Sequence, residues 1–183
     1  LTRSEINKNH PANLSRGLYS VKQGIPRILR MLEEENQHAT FFTTAYTAEL
    51  HPEVIKCIAA CGHEIAYHGY LHEVYDTYEK ENALMEKAEN IIKGLTGRQM
   101  VGQRSPDGFI YDFHLQLWLD RGYIYSSNWR DNDGPFLHKI NGKTVPIVEL
   151  PKDVIGDDTS NDMYTILAPE HPYLRSGREL PGL

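Results

Sequence analysis

Cysteine is scarce in this chain. Cys57 and Cys61 are the only two among 183 residues, too few for a disulfide framework or a four-cysteine zinc site. They lie four apart on a helical stretch, residues 54–61, and read as small apolar core residues rather than a Cys-x-x-Cys motif. Long apolar runs are also missing: none approaches the roughly 20 residues that span a bilayer. The first residues show no charged, apolar and small-residue regions of a signal peptide, so a cytoplasmic home is expected. There is no basic run either. With 19 Lys and Arg against 25 Asp and Glu and a net charge of −6, neither nucleic acid nor an anionic membrane is an expected partner, and a small or neutral substrate fits better. No internal repeat or low-complexity tract occurs. A 40% hydrophobic and 24% charged composition over this length suits a single domain with a real core, spanning residues 1–183.

What the chain does have is one dense patch of coordinating side chains. Residues 62–73, Gly-His-Glu-Ile-Ala-Tyr-His-Gly-Tyr-Leu-His-Glu, hold three histidines and two glutamates. His68 and His72 are four apart, so a helical turn, or a strand end curling into a turn, brings both imidazoles to one side. Imidazole suits zinc and related divalent ions, and hydrolytic zinc sites use three protein ligands, so this pair is one ligand short. The bland alternative is two ordinary histidines on a strand end and a turn. Glu64 to Tyr67 reads as a short buried strand, and Gly69 permits close backbone approach or an unusual turn beside His68.

The rest of the chain alternates between helical and extended patterns. Helical spacing covers residues 20–35, with Pro26 near the start, and residues 39–43 follow as a strand. Pro52 opens a helix through about Ala60, and residues 77–93 form an amphipathic helix closed by Gly94. Met100 to Gln103 is a short strand ending at Arg104. A helix over 112–121 leads to a strand at 123–126, and residues 144–150 form a last strand in which Pro146 argues for an edge or a bulge. Strand and helix in alternation imply a mainly parallel α/β sheet or a (β/α) barrel. From Pro151 onward the pattern dissolves, and 151–183 reads as a long loop or tail.

These residues resemble the polysaccharide deacetylase superfamily with its NodB-homology fold, in the branch of peptidoglycan deacetylase-like proteins and allantoinases. Gly62-His63-Glu64-Ile65 with His68-Gly69-Tyr70 and His72-Glu73 is similar to the branch's second motif, whose histidines bind metal. Gln103-Arg104-Ser105-Pro106 resembles the third, whose arginine lines the site and orients the catalytic carboxylate. The segment from Ser126 to Phe136 is similar to the Asp-rich segment. Val148-Glu149-Leu150-Pro151, leading to Asp157-Asp158, is similar to the branch's strand and acidic loop. Ala39-Thr40-Phe41-Phe42 resembles its second barrel strand.

The resemblance implies an irregular (β/α) barrel and a metal-dependent hydrolase of a non-peptide C–N bond, acting on a small-molecule or carbohydrate amide, foremost an N-acetylated sugar or polysaccharide. The metal, a divalent ion and foremost zinc, would be held by His68 and His72. Arg104 would be catalytic, and Tyr70, Trp129 and Asp131 would face substrate. For Trp129 a place at the core edge is an equal alternative. For Asp131 and Asp133 the favoured reading of the residues is a solvated acidic turn, with substrate binding or pairing to Arg130 as the alternative. His63 and Glu64 read as strand residues and outer partners of the ligands. His10, His38, His51, His114 and His138 belong to no cluster. The branch also implies a homo-oligomer.

Two motifs are missing. The acid pair that ends the family's first strand, source of a third ligand and a general base, has no match before Arg16, where only Glu5 is acidic. The histidine of the fifth motif is not matched well by His171. The expectation is a barrel incomplete at both ends, with its acid pair outside this chain. The alternatives are a cyclic amide hydrolase of the allantoinase type and a binding protein that has lost its chemistry.

Overall fold

The computed structural model describes residues 17–129 and 132–152. A π-helical turn, Ser20–Gly24, runs into α1, Ile25–Glu34, with Pro26 in its first turn where a missing N–H is harmless. Then follow β1, Thr40–Thr43, the short α2, Ala45–Leu50, and α3, Pro52–Ala60. Next come β2, Glu64–Tyr67, the long α4, Tyr78–Thr96, and β3, Gly102–Gln103. A 3-10 turn, Pro106–Gly108, precedes α5, His114–Asp120, and β4, Tyr125–Ser126. A hairpin, β5, Phe136–Ile140, and β6, Lys143–Glu149, ends the described part.

The strands form one sheet in the order β1-β2-β3-β4-β6-β5. Pairings from β1 through β4 to β6 are parallel, and only β5 runs antiparallel. Helices between parallel strands are the expected crossovers. Among the described residues the sheet stays open, with β1 at one edge and β5 at the other. The core lies between sheet and helices, built from Ile55 and Ile58 of α3, Met85, Ala88 and Ile92 of α4, Leu117 and Trp118 of α5, and Ile65, Tyr67 and Ile147 of the sheet.

Several expectations change in detail. The helix predicted to close at Gly94 runs on to Thr96, and Gly97, at φ 71°, supplies the left-handed cap. The short helix α2 and strand β5 were not expected. Asn141 and Gly142, at φ 51° and 76°, make the tight turn that joins β5 to β6, as Asn-Gly pairs do between antiparallel strands. Pro146 does not mark an edge, since β6 pairs on both sides. It lies opposite a register irregularity between Leu137 and Lys139, where the ladder already omits a donor.

The two cysteines are not in the core but exposed. α3 buries Ile55, Ile58 and Ala59, and with about 100° per residue Cys57 and Cys61 fall on the far side of that stripe. Gly102 has a steric reason. A Cβ there would sit 1.8 Å from the Tyr125 ring, so β3 and β4 approach only if this residue has no side chain.

His114 is buried, a structural histidine. Its ring stacks on Phe113 and Tyr111 and tilts against Trp118. The Tyr111 N–H donates to its Nδ1 at 2.8 Å, which requires that nitrogen to be unprotonated. Burial lowers its pKa from 6.5 to about 4, because the charged ring would lose its hydration. The unfolded chain takes up this proton near 6.5 and the folded chain only near 4. The stability this histidine confers is therefore complete above pH 6.5 and lost as pH falls through 4. Over that window we expect a loss of about 2 kcal/mol that His114→Phe does not show, read from denaturant unfolding at pH 7 and pH 4.

Candidate active site

The sheet's parallel strands point their C-terminal ends to one side, where an α/β fold gathers its chemistry. β2 ends at Tyr67 and is followed by His68, and β3 ends at Gln103 and is followed by Arg104. These two ends are bonded to each other: the Arg104 N–H donates to the Tyr67 carbonyl at 3.0 Å. The His68 Nδ1 in turn lies 2.6 Å from the Arg104 carbonyl. A carbonyl only accepts, so Nδ1 carries the proton and the neutral ring presents its lone pair at Nε2, as an imidazole ligand to a metal must.

His72 reaches His68 through a bend rather than a helix. Gly69 takes φ 76°, and a Cβ on it would sit 2.9 Å from the Glu73 carbonyl oxygen, so the loop closes on itself only with glycine there. His72 itself has φ 70°, a left-handed conformation uncommon for histidine, and such strain gathers at functional sites. The result is two imidazoles with centroids 4.8 Å apart and planes at 75°. Two imidazoles on one tetrahedral zinc, at Zn–N of about 2.0–2.1 Å, have centroids about 5 Å apart. The spacing is compatible with two ligands of one ion, and equally with an edge-on contact between two rings. Among the described residues no group of three or more His, Cys, Asp or Glu could hold a metal ion, so a third protein ligand is not among them.

Arg104 is braced from two sides. Its guanidinium lies 4.3 Å over the Phe42 ring, while Nε and Nη2 donate to the carbonyl and hydroxyl of Ser127 at 3.1 and 2.8 Å. The next residue is tied to the same strand end, its Ser105 N–H donating to Asn128 Oδ1 at 2.7 Å. His68, His72, Arg104, Ser105, Ser127 and Asn128 all line one open cleft of about 1400 Å³. The outer edge of β1 forms another wall, so that volume includes space beside an unpaired strand and is no measure of a substrate.

Beneath Ser127 and Asn128 is a cluster that sequence reading missed. Glu149, the last residue of β6, is fully buried. It accepts the N–H groups of Asn128 and Trp129, the Ser126 hydroxyl, and His138 Nε2 at 2.9 Å. Burial alone would raise its pKa, but the hydrogen bonds from His138, Ser126 and the two amides outweigh that and hold it below 4.5. This is not a nucleophilic triad. Serine and carboxylate both meet Nε2, whereas a catalytic triad puts the acid on Nδ1. The cluster instead fixes the chain that grips Arg104. Its local sequence signal is a glutamate closing the apolar run Val145 to Val148, within the motif Val148-Glu149-Leu150-Pro151.

The other predicted residues lie as follows. The Tyr70 hydroxyl donates to Glu49 at 2.5 Å and Lys87 covers its ring at 3.5 Å, which turns the side chain toward α2 and α4. Trp129 packs on Phe136 and His138 at the core edge. His63 and Glu64 lie at the opposite end of β2 from His68, with His63 buried against Phe41 and His38 and Glu64 accepting from Thr40. They are strand partners, but too far along the strand to act on the ligands. Asp131, Arg130, the pair Asp157-Asp158 and His171 lie outside the described residues.

The described part is thus a mainly parallel α/β sheet with a histidine pair and a braced arginine at its strand ends. The sequence model of the polysaccharide deacetylase family matches residues 17–125, and the chain belongs to that family. It is 32% identical over 128 residues to a peptidoglycan deacetylase of Helicobacter pylori, covering 69% of this chain and 44% of that protein. Among solved structures, a Mycobacterium smegmatis protein assigned as a polysaccharide deacetylase superposes with TM-score 0.69 at 35% identity, over 74% of this chain and 48% of that one. The PuuE allantoinase superposes with TM-score 0.66 at 29% identity, over 80% and 48%. The chain thus spans under half the length, 44%, of the first curated relatives it matches.

Proposed function

We propose that the protein carrying this chain is a metal-dependent deacetylase of an N-acetylated sugar or polysaccharide, with His68 and His72 as metal ligands and Arg104 as a catalytic residue. The observation that supports this best is the imidazole pair, set 4.8 Å apart with the His68 tautomer fixed by the Arg104 carbonyl. A divalent ion such as zinc supplies Lewis acidity at the amide carbonyl and lowers the pKa of water.

The chain's own residues do the positioning. The Arg104 carbonyl holds His68 in its ligating tautomer, and the loop closed at Gly69 presents His72 beside it. The Arg104 guanidinium is anchored through Ser127, and its positive charge favours the ionised state that a carboxylate acting as general base needs. That carboxylate, like the third ligand, comes from outside the described residues. Tyr70, Trp129 and Asp131 remain candidates for substrate contact, and a homo-oligomer is the proposed assembly.

The structural likeness to the PuuE allantoinase favours a second reading, cyclic amide hydrolysis. Assaying acetate release from N-acetylglucosamine oligomers and from peptidoglycan, beside ring opening of allantoin, separates the two. We expect acetate release that is lost with dipicolinate and restored by zinc. Allantoin hydrolysis that survives chelation supports the second reading, and inactivity on all three substrates with zinc bound supports a binding protein.

A further inference from the structure

The loop from His68 to Thr77 carries both proposed ligands. Packing holds its start, where Gly69 is buried and Tyr70 lies against the core, but Leu71 and Tyr75, two of its large apolar side chains, are exposed. Polar tethers add to the packing. The first half has several: His68 on the Arg104 carbonyl, and the carbonyls of Gly69 and Tyr70 accepting the N–H groups of Ala45 and Tyr46 at 3.1 and 3.0 Å. After His72, the Glu73 carboxylate accepts the Leu71 N–H across the histidine, and the chain then leads to one buried carboxylate.

That carboxylate is Glu81, in the first turn of α4 and only 2% exposed. One oxygen accepts the Tyr67 hydroxyl at 2.9 Å and the other the Tyr75 N–H at 2.9 Å. Tyr67 is the last residue before His68, and Tyr75 lies three beyond His72. One side chain thus fastens both ends of the loop. Burial pushes its pKa up, and the two hydrogen bonds only partly offset this, so the carboxylate is an expensive way merely to fill space. Its place near the helix N-terminus lessens that penalty.

We infer that Glu81 is a positioning residue for the metal site, holding His72 at ligating distance from His68 by clamping the entry and exit of their loop. This rests on the metal reading above. Loss of a partner that orients a ligand lowers metal affinity about 10- to 100-fold. For Glu81→Leu, which keeps the volume and removes both acceptors, we expect a zinc affinity at least about tenfold weaker, by competition with a chelating dye. Glu81→Gln should stay near the wild type, because its amide oxygen accepts the Tyr75 N–H and its NH2 donates to the Tyr67 oxygen.

Tyr75→Pro deletes the loop's donor without touching the core and should match Glu81→Leu, which keeps the test decisive if the leucine variant does not fold. Wild-type affinity in folded Glu81→Leu or in Tyr75→Pro overturns the inference. A wild-type protein that binds no zinc overturns the metal reading itself, and the inference with it.

Discussion

His68→Ala and His72→Ala are each expected to abolish stoichiometric zinc binding and to lower kcat/KM for deacetylation by more than about 100-fold, the upper end of what loss of an outer partner costs. The two rings stand 4.8 Å apart, so removing either leaves one imidazole, and a single histidine holds zinc poorly. His72→Asn is the informative companion. His72 has φ 70°, which asparagine tolerates, so this variant keeps the backbone and loses only the imidazole; it should fail as alanine does. His63→Ala, at the other end of β2, should bind zinc like the wild type. Zinc retained by His72→Asn, measured by competition titration, would remove His72 from the site.

Glu149→Ala carries the largest expected effect on stability. The carboxylate is fully buried and collects four hydrogen bonds, one from His138. Removing one partner of a buried pair costs about 3–5 kcal/mol, because the amides of Asn128 and Trp129 stay behind unpaired and His138 Nε2 keeps only the Ser126 hydroxyl. For a domain of this size that is a fall of roughly 10 °C in Tm. The sign with pH also follows. A carboxyl held below its usual 4.5 stabilises the fold above that value and gives the stability up as pH falls further. The wild type should therefore lose its advantage over Glu149→Ala in acid, in unfolding curves compared at pH 7 and pH 3.5. Because Ser127 holds Arg104, activity should fall as well, at temperatures where the variant is still folded.

The repeating pattern of the fold was legible from local physics. The alternation that gives β2, the Pro52 start of α3 and the amphipathic stripe of α4 depend on neighbours within one turn or one pleat, and a parallel α/β sheet follows from them. Errors arose where a local signal was weak or had two meanings. The six residues of α2 carry too few periods to stand out. Gly94 offered a stop that the helix passed over for Gly97. The Asn141-Gly142 pair is itself a local hairpin signal. For Cys57 and Cys61 the phase against Ile55 and Ile58 outranks residue type and puts both thiols on the exposed side.

By itself the sequence determined the residue types of the candidate site and where they start: His68 and Arg104 each follow a short extended run, His72 comes four residues after His68, and the family likeness rests on those motifs. Only the tertiary structure decided how they are held. Ser126, His138 and Glu149 come together because β6 inserts between β4 and β5. Glu81 meets Tyr67 because α4 packs back on β2. Contacts across a sheet or between helix and sheet join residues far apart in the chain, and no periodicity announces them. A buried carboxylate can be recognised as an organiser of backbone only when the N–H groups that it accepts can be seen around it.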